Sequence, residues 1–324
     1  MPPDVDDTTT AIRRVPLNFF GMPFGVAGLA GTWLVAAHDG QTPLWIGRML
    51  LAVAAVLWAV FVVRYARYAL SAPGRFAADL TDPTAGPFAS LAMITPMLLA
   101  AQGLHPYAHR TGTVVFDVFL VATVLLGGWF TGQWIYGPLA FERLHPGYFL
   151  PTVAGGLVAA AGAAAVGQPR LGYAMLGLGL ICWLILGSMI LARLLFGPPL
   201  PPPLYPTLAI EVAPAAVATM AYLALNGRHL DAFAAILAGY GVLMVTAQLR
   251  LLPAFARLPF APSFWAFTFS WAAVATSALH WLHILHPPGH LVYGYLTLTA
   301  ITLLIGGIAL RTVLAALPWS RART

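Results

Sequence analysis

Two carboxylates interrupt long apolar runs and are the residues best suited to carry a proton. Glu211 lies upstream of Pro214 in one run, and Asp117 lies early in another. Ionisable groups inside a membrane are costly and are therefore candidate functional groups. Glu211 is a candidate for proton binding or substrate contact near the start of its apolar run, or for an interfacial ion pair with a neighbouring arginine. Asp117 is a candidate for the same coupling role, or for an interfacial pair with Arg110.

A histidine cluster near the end of the chain raises the question of a metal site. The cluster consists of His280, His283, His286 and His290. Imidazole is a good zinc ligand, and residues three apart share a helix face. However, His280 and His286 would point apart, and Pro287 would break the helix. We therefore interpret the cluster as a polar outer loop and expect neither a metal site nor any cofactor, haem included.

Motifs typical of enzymes are missing from the sequence. There is no nucleophile–base pair, no glycine-rich phosphate loop after a strand, and no HExxH zinc motif. The spacing of Gly21, Gly25 and Gly28 is that of a small-residue stripe, which lets helices approach closely or leaves an open pore wall. The single cysteine, Cys182, excludes an internal disulfide. We expect no catalytic residues and no enzyme activity.

The composition places the chain in a membrane. Hydrophobic residues make up 60% of the 324 positions and charged residues only 8%, whereas a soluble domain is nearer half apolar and a quarter charged. A helix needs about 20 apolar residues to cross the hydrocarbon core. We predict ten such helices, near 17–37, 43–63, 87–104, 113–133, 147–167, 172–195, 207–226, 231–252, 262–282 and 291–313. Residues 1–324 would form one all-α transmembrane domain.

The distribution of arginine predicts the orientation of these helices. The chain has no lysine, so its sixteen lysine or arginine positions are all arginine. If the chain crosses the membrane ten times, twelve of these arginines fall on the side of the termini. Four fall on the opposite side, namely Arg48, Arg110, Arg170 and Arg228. Positive residues accumulate in cytoplasmic loops, so both termini should be cytoplasmic, with short tails at 1–15 and 314–324 in a plasma or inner membrane. The net charge of +6 follows from this topology and gives no reason to expect a nucleic-acid partner.

Proline alternates between successive predicted spans. Pro23, Pro96, Pro151 and Pro214 lie inside spans one, three, five and seven, while the even-numbered spans have no interior proline. Span nine is the exception, since its only proline, Pro262, is at its start. Proline kinks a helix and frees a backbone carbonyl, which in lipid must find another partner. The alternation predicts five pairs, each with an inner kinked helix and an outer straight helix, or it reflects chance in a proline-rich chain. Five inner helices would surround a pore.

Four segments carry a resemblance to a known family. They are PLNFFGMPFGVAGLAGTW (16–33), HPGYFLPTVAGGLVAA (145–160), YPTLAIEVAPAAVATMAYLALNG (205–227) and PFAPSFWAFTFSWAAVATSAL (259–279). In this order, and with the ten-span layout, they resemble the tellurite-resistance/C4-dicarboxylate transporter family, which includes bacterial TehA channels, plant slow-type anion channels and fungal sulfite exporters. The resemblance implies five helical hairpins around a pseudo-fivefold axis, pore-lining odd-numbered helices, and homotrimers with one pore per subunit.

The resemblance also implies a gate. Family members have a phenylalanine in the ninth span that plugs the pore; matching WAFTFS to that motif gives Phe269, with Phe267 as the second choice. The neighbouring first-span glycine corresponds to Gly21 or Gly25. Ser270 stands where plant members have proline, so the ninth span should bend less or by another means. Asn18 stands where relatives often have glycine.

Together these features predict a channel for small monovalent anions such as chloride or nitrate, occluded at rest by Phe269. The predicted inner helices carry almost no acidic residues, so little would repel an anion. The alternative is a proton-coupled carrier for a C4-dicarboxylate, sulfite or a tellurite-type oxyanion. That carrier would need a carboxylate in the path, for which Glu211 and Asp117 are the candidates.

Overall fold

The computed structural model describes residues 14–137 and 139–317, and among them the chain is helical with no strand. Nine helical stretches in this described part are long and apolar enough to cross a membrane. They are Leu17–His38, Leu44–Leu70, Gly86–Leu104, His109–Tyr136, Pro146–Ala165, Pro169–Phe196, Pro202–Leu225, Ala232–Phe255 and His290–Ala316. Each corresponds to a predicted span.

The predicted span 262–282 is also helical but is less apolar. It forms a 3-10 turn at Pro262–Trp265 followed by an α-helix at Ala266–Leu285. Serine, threonine, tryptophan and histidine interrupt its apolar residues, so this stretch is not among the nine.

The α-helices fall into two groups that alternate along the chain. We number them α1 (Gly21–His38), α2 (Leu44–Leu70), α3 (Arg75–Thr81), α4 (Leu91–Leu99), α5 (His109–Tyr136), α6 (Gly155–Ala165), α7 (Pro169–Phe196), α8 (Ala213–Leu225), α9 (Ala232–Phe255), α10 (Ala266–Leu285) and α11 (His290–Ala316). The outer group, α2, α5, α7, α9 and α11, consists of unbroken helices of 24 to 28 residues. The inner group is α1, α4, α6, α8 and α10. The short helix α3 connects α2 to the next inner segment.

Burial separates the two groups clearly. In the four inner stretches among the nine, 67% to 78% of the most apolar window is buried, compared with 17% to 28% in the five outer helices. The inner helices also contact one another in sequence, α1 with α4, α4 with α6, α6 with α8 and α8 with α10, and α10 contacts α1. The predicted alternation of inner and outer helices therefore describes how this chain packs.

The inner stretches are irregular in a common way that the sequence analysis missed. All five start as a 3-10 turn, at Leu17–Phe20, Gly86–Ser90, Pro146–Phe149, Pro202–Val212 and Pro262–Trp265. Two also contain a π-helical turn, at Ala100–Leu104 and Leu150–Ala154. Proline at the start of a helix costs little, because its missing N–H has no intrahelical partner there. Four of the five 3-10 turns contain proline near their start.

Only one of the four predicted kink prolines lies well inside an α-helix. Pro96 is in α4, whereas Pro214 opens α8, Pro23 lies in the first turn of α1, and Pro151 lies in a π-helical turn. The Pro96 ring removes the N–H that would bond to the carbonyl of Ala92. The indole Nε1 of Trp58 on α2 donates to that carbonyl at 2.8 Å. An outer helix thus supplies the partner that lipid lacks.

The outer helices extend beyond most of their predicted ends. Helix α2 continues to Leu70 instead of ending near 63, and α9 continues to Phe255 and so includes Pro253 in its last turn. Helix α11 continues through Ala316, so the start of the predicted tail 314–324 is helical. Residues 318–324 of that tail and most of the tail 1–15 lie outside the described residues.

Candidate functional site

Two cavities lie inside the ring of inner helices, one at each end. The small cavity, about 50 Å³, lies at the starts of these helices and is lined by residues such as Gly21, Leu91, Leu150 and Pro214. The wide cavity, about 990 Å³, lies at their ends. All five inner stretches contribute to both cavities. The wide cavity also extends to the outer helices α2 and α5.

Phe269 lies between the two cavities. It lines both of them, and among the lining residues only Val217 of α8 shares that property. Its ring stacks on Phe24 of α1, with ring centroids 3.7 Å apart and planes 17° from parallel. Helix α10 therefore holds this ring flat against helix α1 at the level where the two cavities meet.

Gly28 makes the close approach of α1 to Phe269 possible. A Cβ at Gly28 would lie 2.9 Å from Cδ2 of Phe269 and 3.2 Å from Cβ of Ala272. The expected neighbour was Gly21 or Gly25; the glycine whose Cβ position meets the Phe269 ring is Gly28. Gly25 lies against Thr268, and Gly21 lies 3.6 Å from the Trp265 side chain in the wall of the small cavity.

Phe267, the second choice for a gate, is placed differently. It is 7% exposed and lines neither cavity. Its ring packs on Phe255 of α9 and on Phe264, with centroids 4.9 and 5.8 Å away. Phe267 therefore faces the outer helix, two positions along the chain from Phe269.

The remaining predicted lining residues divide between the two cavities. Pro96 lines the wide cavity, while Pro214, Gly21 and Ser270 line the small one. Pro23 and Pro151 are buried and line neither cavity. The hydroxyl of Ser270 donates to the carbonyl of Ala266 at 2.9 Å, so its side chain is directed to its own helix.

Neither candidate carboxylate lines one of the two cavities. Glu211 is 6% exposed, lines neither cavity, and its Oε1 has no hydrogen-bond partner among the described residues. Asp117 accepts a hydrogen bond of 3.1 Å from Nε2 of Gln168, which takes the place predicted for Arg110. The structure therefore brings neither carboxylate to the lining of the path.

The wide cavity has polar residues that the sequence analysis did not connect. His38, Arg48, His105 and His280 line it, together with Gln102, and its lining includes no aspartate or glutamate. Only His280 comes from the histidine cluster near the end of the chain. His283 of that cluster instead contacts Asp39, with Nδ1 3.2 Å from Oδ1. No group of three or more histidine, cysteine, aspartate or glutamate residues in the described part is arranged to hold a metal ion.

Comparisons with known proteins agree with this architecture. Residues 14–313 match the SLAC1 family, described as voltage-dependent anion channel. A relative from Haemophilus influenzae, named tellurite resistance protein TehA homolog, is 30% identical over 273 residues, covering 83% of this chain and 82% of the relative. These matches confirm the resemblance seen in the four segments. The chain is therefore a multi-pass membrane protein that belongs to the SLAC1/TehA family of voltage-dependent anion channels.

Proposed function

We propose that this protein is a channel for small monovalent anions, with a pore inside each protomer and Phe269 as its barrier. The observation that carries the proposal is the position of Phe269 between two cavities to which all five inner stretches contribute. A planar apolar ring at such a point obstructs ions both sterically and by excluding water. The resting protein is then occluded, and conduction requires the ring to move.

The proposed pore needs ten membrane spans. Pro262–Leu285 would be the tenth, since it lies inside the ring and is shielded from lipid by its neighbours α1, α8 and α11. Five hairpins, each an inner and an outer helix, would then surround a pseudo-fivefold axis. The closed series of contacts between neighbouring inner helices supports this arrangement.

The lining of the two cavities favours an anion over a cation. Neither cavity is lined by a carboxylate, and Arg48 lies in the wall of the wide one. An unpaired ion at bilayer depth costs from about 2.5 to more than 10 kcal/mol, so a permeant ion needs a hydrated route. The wide cavity provides such a route as far as Phe269. The mostly apolar wall beyond it offers little strong binding, which suits the passage of chloride or nitrate.

The experiment that tests the gate compares two phenylalanines of the same helix. Anion currents would be recorded in oocytes or planar bilayers for the wild type, Phe269→Ala and Phe267→Ala. We expect strong chloride or nitrate current for Phe269→Ala and near silence for the other two, because Phe267 faces α9 and lines no cavity. If Phe267→Ala conducts and Phe269→Ala is silent, the register of the proposed gate is wrong. If neither variant conducts, the channel proposal fails.

A proton-coupled carrier is the alternative function. Two observations favour it: the Haemophilus influenzae relative is named for tellurite resistance, which points to an oxyanion, and Glu211 is buried without a described partner. The substrate would be a tellurite-type oxyanion, sulfite or a C4-dicarboxylate. Its coupling residue would be Glu211 or Asp117, acting from behind the lining of the path.

Flux in liposomes separates the two functions. Labelled sulfite or dicarboxylate uptake would be measured with and without an inward proton gradient, for the wild type, Glu211→Gln and Asp117→Asn. A carrier predicts gradient-dependent uptake that one of these variants abolishes. The channel predicts anion flux that follows voltage and is unaffected by the proton gradient or by either substitution.

The assembly and orientation complete the proposal. The bias of twelve arginines against four supports cytoplasmic termini, and hence a wide cavity that opens on the outer face of the cell membrane. A homotrimer follows from the family resemblance. Cross-linking in native membranes and protease protection of a terminal tag would test these two points.

A further inference from the structure

The wide cavity has an opening through the side of the helical ring. Among the outer helices of the described part, only α2 and α5 contribute to its lining. These two helices pack on α4 and its π-helical turn, which lie between them, and make no extensive contact with each other. Ala52 and Ala59 of α2 are exposed and yet line the same cavity as Phe269. The cavity therefore continues from the centre of the ring to the outer surface between α2 and α5.

The part of the cavity between these two helices is an apolar groove. Alanines of α2 that are three and four residues apart share one face of the helix, and their small side chains leave space there. The centre of the cavity differs, because it is lined by polar residues such as Gln102, Thr276 and His280. We call the apolar part the side groove and define it by Leu51, Ala52, Ala55, Ala59, Val115 and Phe119.

Aromatic contacts between the two hairpins bound the side groove at both ends. At the deep end the ring of Trp58 meets that of Phe119 edge-on, with centroids 5.8 Å apart and planes at 88°. At the other end the guanidinium carbon of Arg48 lies 5.2 Å from the centroid of the Tyr107 ring. From Arg48 to Ala59 the helix rises about 16 Å. This length matches the roughly 15 Å of hydrocarbon in one leaflet of a bilayer.

The Arg48 end of the side groove has the groups that hold a lipid head group. Arg48 is exposed and is in no ion pair with any residue of the described part. Trp45, one turn earlier in α2, and Tyr107 are exposed beside it, and these two residue types concentrate where a membrane meets water. A guanidinium binds phosphate oxygens through two parallel N–H groups. A phosphate on Arg48 would leave its lipid tail at the entrance of the side groove.

We propose that the side groove binds one phospholipid with an anionic head group, its phosphate on Arg48 and one acyl chain between α2 and α5. The end of the chain then lies against Trp58 and Phe119, at the side of the wide cavity. The bound chain closes the side opening, so that water in the cavity is separated from the surrounding hydrocarbon. This lipid site goes beyond the proposed anion conduction, since its presence does not depend on which ions pass.

The two parts of the lipid contribute differently to binding. One arginine close to an anionic head group strengthens binding by about fivefold. In detergent the acyl chain exchanges one apolar environment for another, so the side groove selects the chain by the space that it offers. Filling that space should therefore weaken binding more than removing the charge of Arg48.

Native mass spectrometry of the purified protein in detergent measures this binding, with dioleoylphosphatidylglycerol as the titrated lipid. Ala52→Phe places a ring in the side groove, and Val53→Phe is its matched control, because Val53 is 45% exposed and lines neither cavity. Arg48→Gln removes the charge at the head group, and Arg110→Gln is its matched control at the start of α5, outside the lining. All four positions are exposed, so the helical core stays intact.

We expect the wild type to bind one phosphatidylglycerol more tightly than any further copy. Arg48→Gln should weaken this first binding step by about fivefold, Ala52→Phe should weaken it more than tenfold, and both controls should match the wild type. Phosphatidylcholine, whose head group has no net charge, should bind more weakly. A phosphatidylglycerol with a photoreactive diazirine at the end of its chain should label the peptides that contain Trp58 and Phe119.

Three results would overturn the inference. The first is equal lipid binding by all five proteins, or labelling spread over α7, α9 and α11, which is the behaviour of ordinary surrounding lipid. The second is equal binding of phosphatidylcholine. The third is competition by glycerol phosphate as strong as that by the intact lipid, which indicates a site for phosphate alone. Silence of Phe269→Ala in current recordings would refute the channel and leave this lipid site standing, so the two failures are distinguishable.

Discussion

The stack between Phe24 and Phe269 is expected to hold the gate closed, and Phe24→Ala tests this. The two rings lie 3.7 Å apart at 17°, and Phe24 is 3% exposed. If conduction requires the Phe269 ring to leave the pore axis, opening breaks this contact while the rest of α1 and α10 stays packed. Removing the Phe24 ring therefore destabilises the closed state more than the open one.

The size of the expected rise in open probability follows from the free energy of an aromatic contact. An aromatic pair contributes about 0.5 to 1.5 kcal/mol beyond the burial of its area. For a gate that is mostly closed, losing that energy multiplies the open population by about 2 to 13, since RT is about 0.6 kcal/mol. Phe24→Ala should thus conduct slightly but measurably, between the wild type and Phe269→Ala.

Single-channel recording gives open probability and conductance separately, which this prediction needs. Phe24→Ala should raise the open probability, whereas Phe269→Ala should give a lasting open state. Phe20→Ala is the matched control, because Phe20 is 1% exposed on the same segment but packs on Phe61 and Tyr65. If Phe24→Ala conducts no more than the wild type while Phe269→Ala conducts, the reasoning is refuted. So would an equal rise in Phe20→Ala, which would indicate general loosening of the core.

Three further changes test the surrounding structure through thermal or chemical unfolding in detergent. Gly28→Ala places a Cβ 2.9 Å from Phe269 and should lower the free energy of unfolding by about 1 to 3 kcal/mol through overpacking. An unchanged unfolding midpoint would argue against the close approach of α1 to Phe269. Arg193→Ala removes a 2%-exposed side chain whose guanidinium donates to two backbone carbonyls at 2.7 to 3.1 Å, and should cost about 2 to 5 kcal/mol through the loss of these hydrogen bonds to a charged group. Burial lowers the pKa of His145 from 6.5 to about 4, so the unfolded chain binds the proton more readily and stability falls as the pH drops from about 6.5 towards 4. The loss should reach about 2 kcal/mol at pH 5 and disappear in His145→Gln but persist in His286→Gln, which changes an exposed histidine.

Hydropathy and proline placement were sufficient to predict the two groups of helices. The outer helices read as unbroken apolar runs because most of their surface is exposed outside the ring of inner helices. The inner stretches tolerate proline because neighbouring helices supply hydrogen-bond donors to the backbone carbonyls that proline leaves without a partner. The indole of Trp58 does this for the carbonyl of Ala92. Another outer side chain, Gln248 of α9, donates to the carbonyl of Leu208 at 2.6 Å in the same manner. Such compensation depends on tertiary contacts and has no local sequence pattern.

The identity of the glycine beside Phe269 was not predictable from spacing. Gly21, Gly25 and Gly28 all fall on one stripe of α1, and the choice among them depends on where α10 crosses that stripe. The shared position of the polar residues in the wide cavity escaped prediction for a related reason. His38, Arg48 and His105 are separated along the chain, and only closure of the inner ring brings them to His280.

In the channel proposed above, the unequal size of the two cavities would determine where a permeating ion experiences the membrane voltage. Water in the wide cavity carries the potential of its own face down to Phe269, so most of the voltage falls across one ring and the narrow apolar space beyond it. A monovalent ion crossing that short distance exchanges about 2.3 kcal/mol with the field per 100 mV. The ring itself is neutral, so the field acts on the ion and leaves the barrier where it is. Once Phe269 is removed, the current should therefore follow voltage smoothly, without the steep threshold that a charged gate would impose.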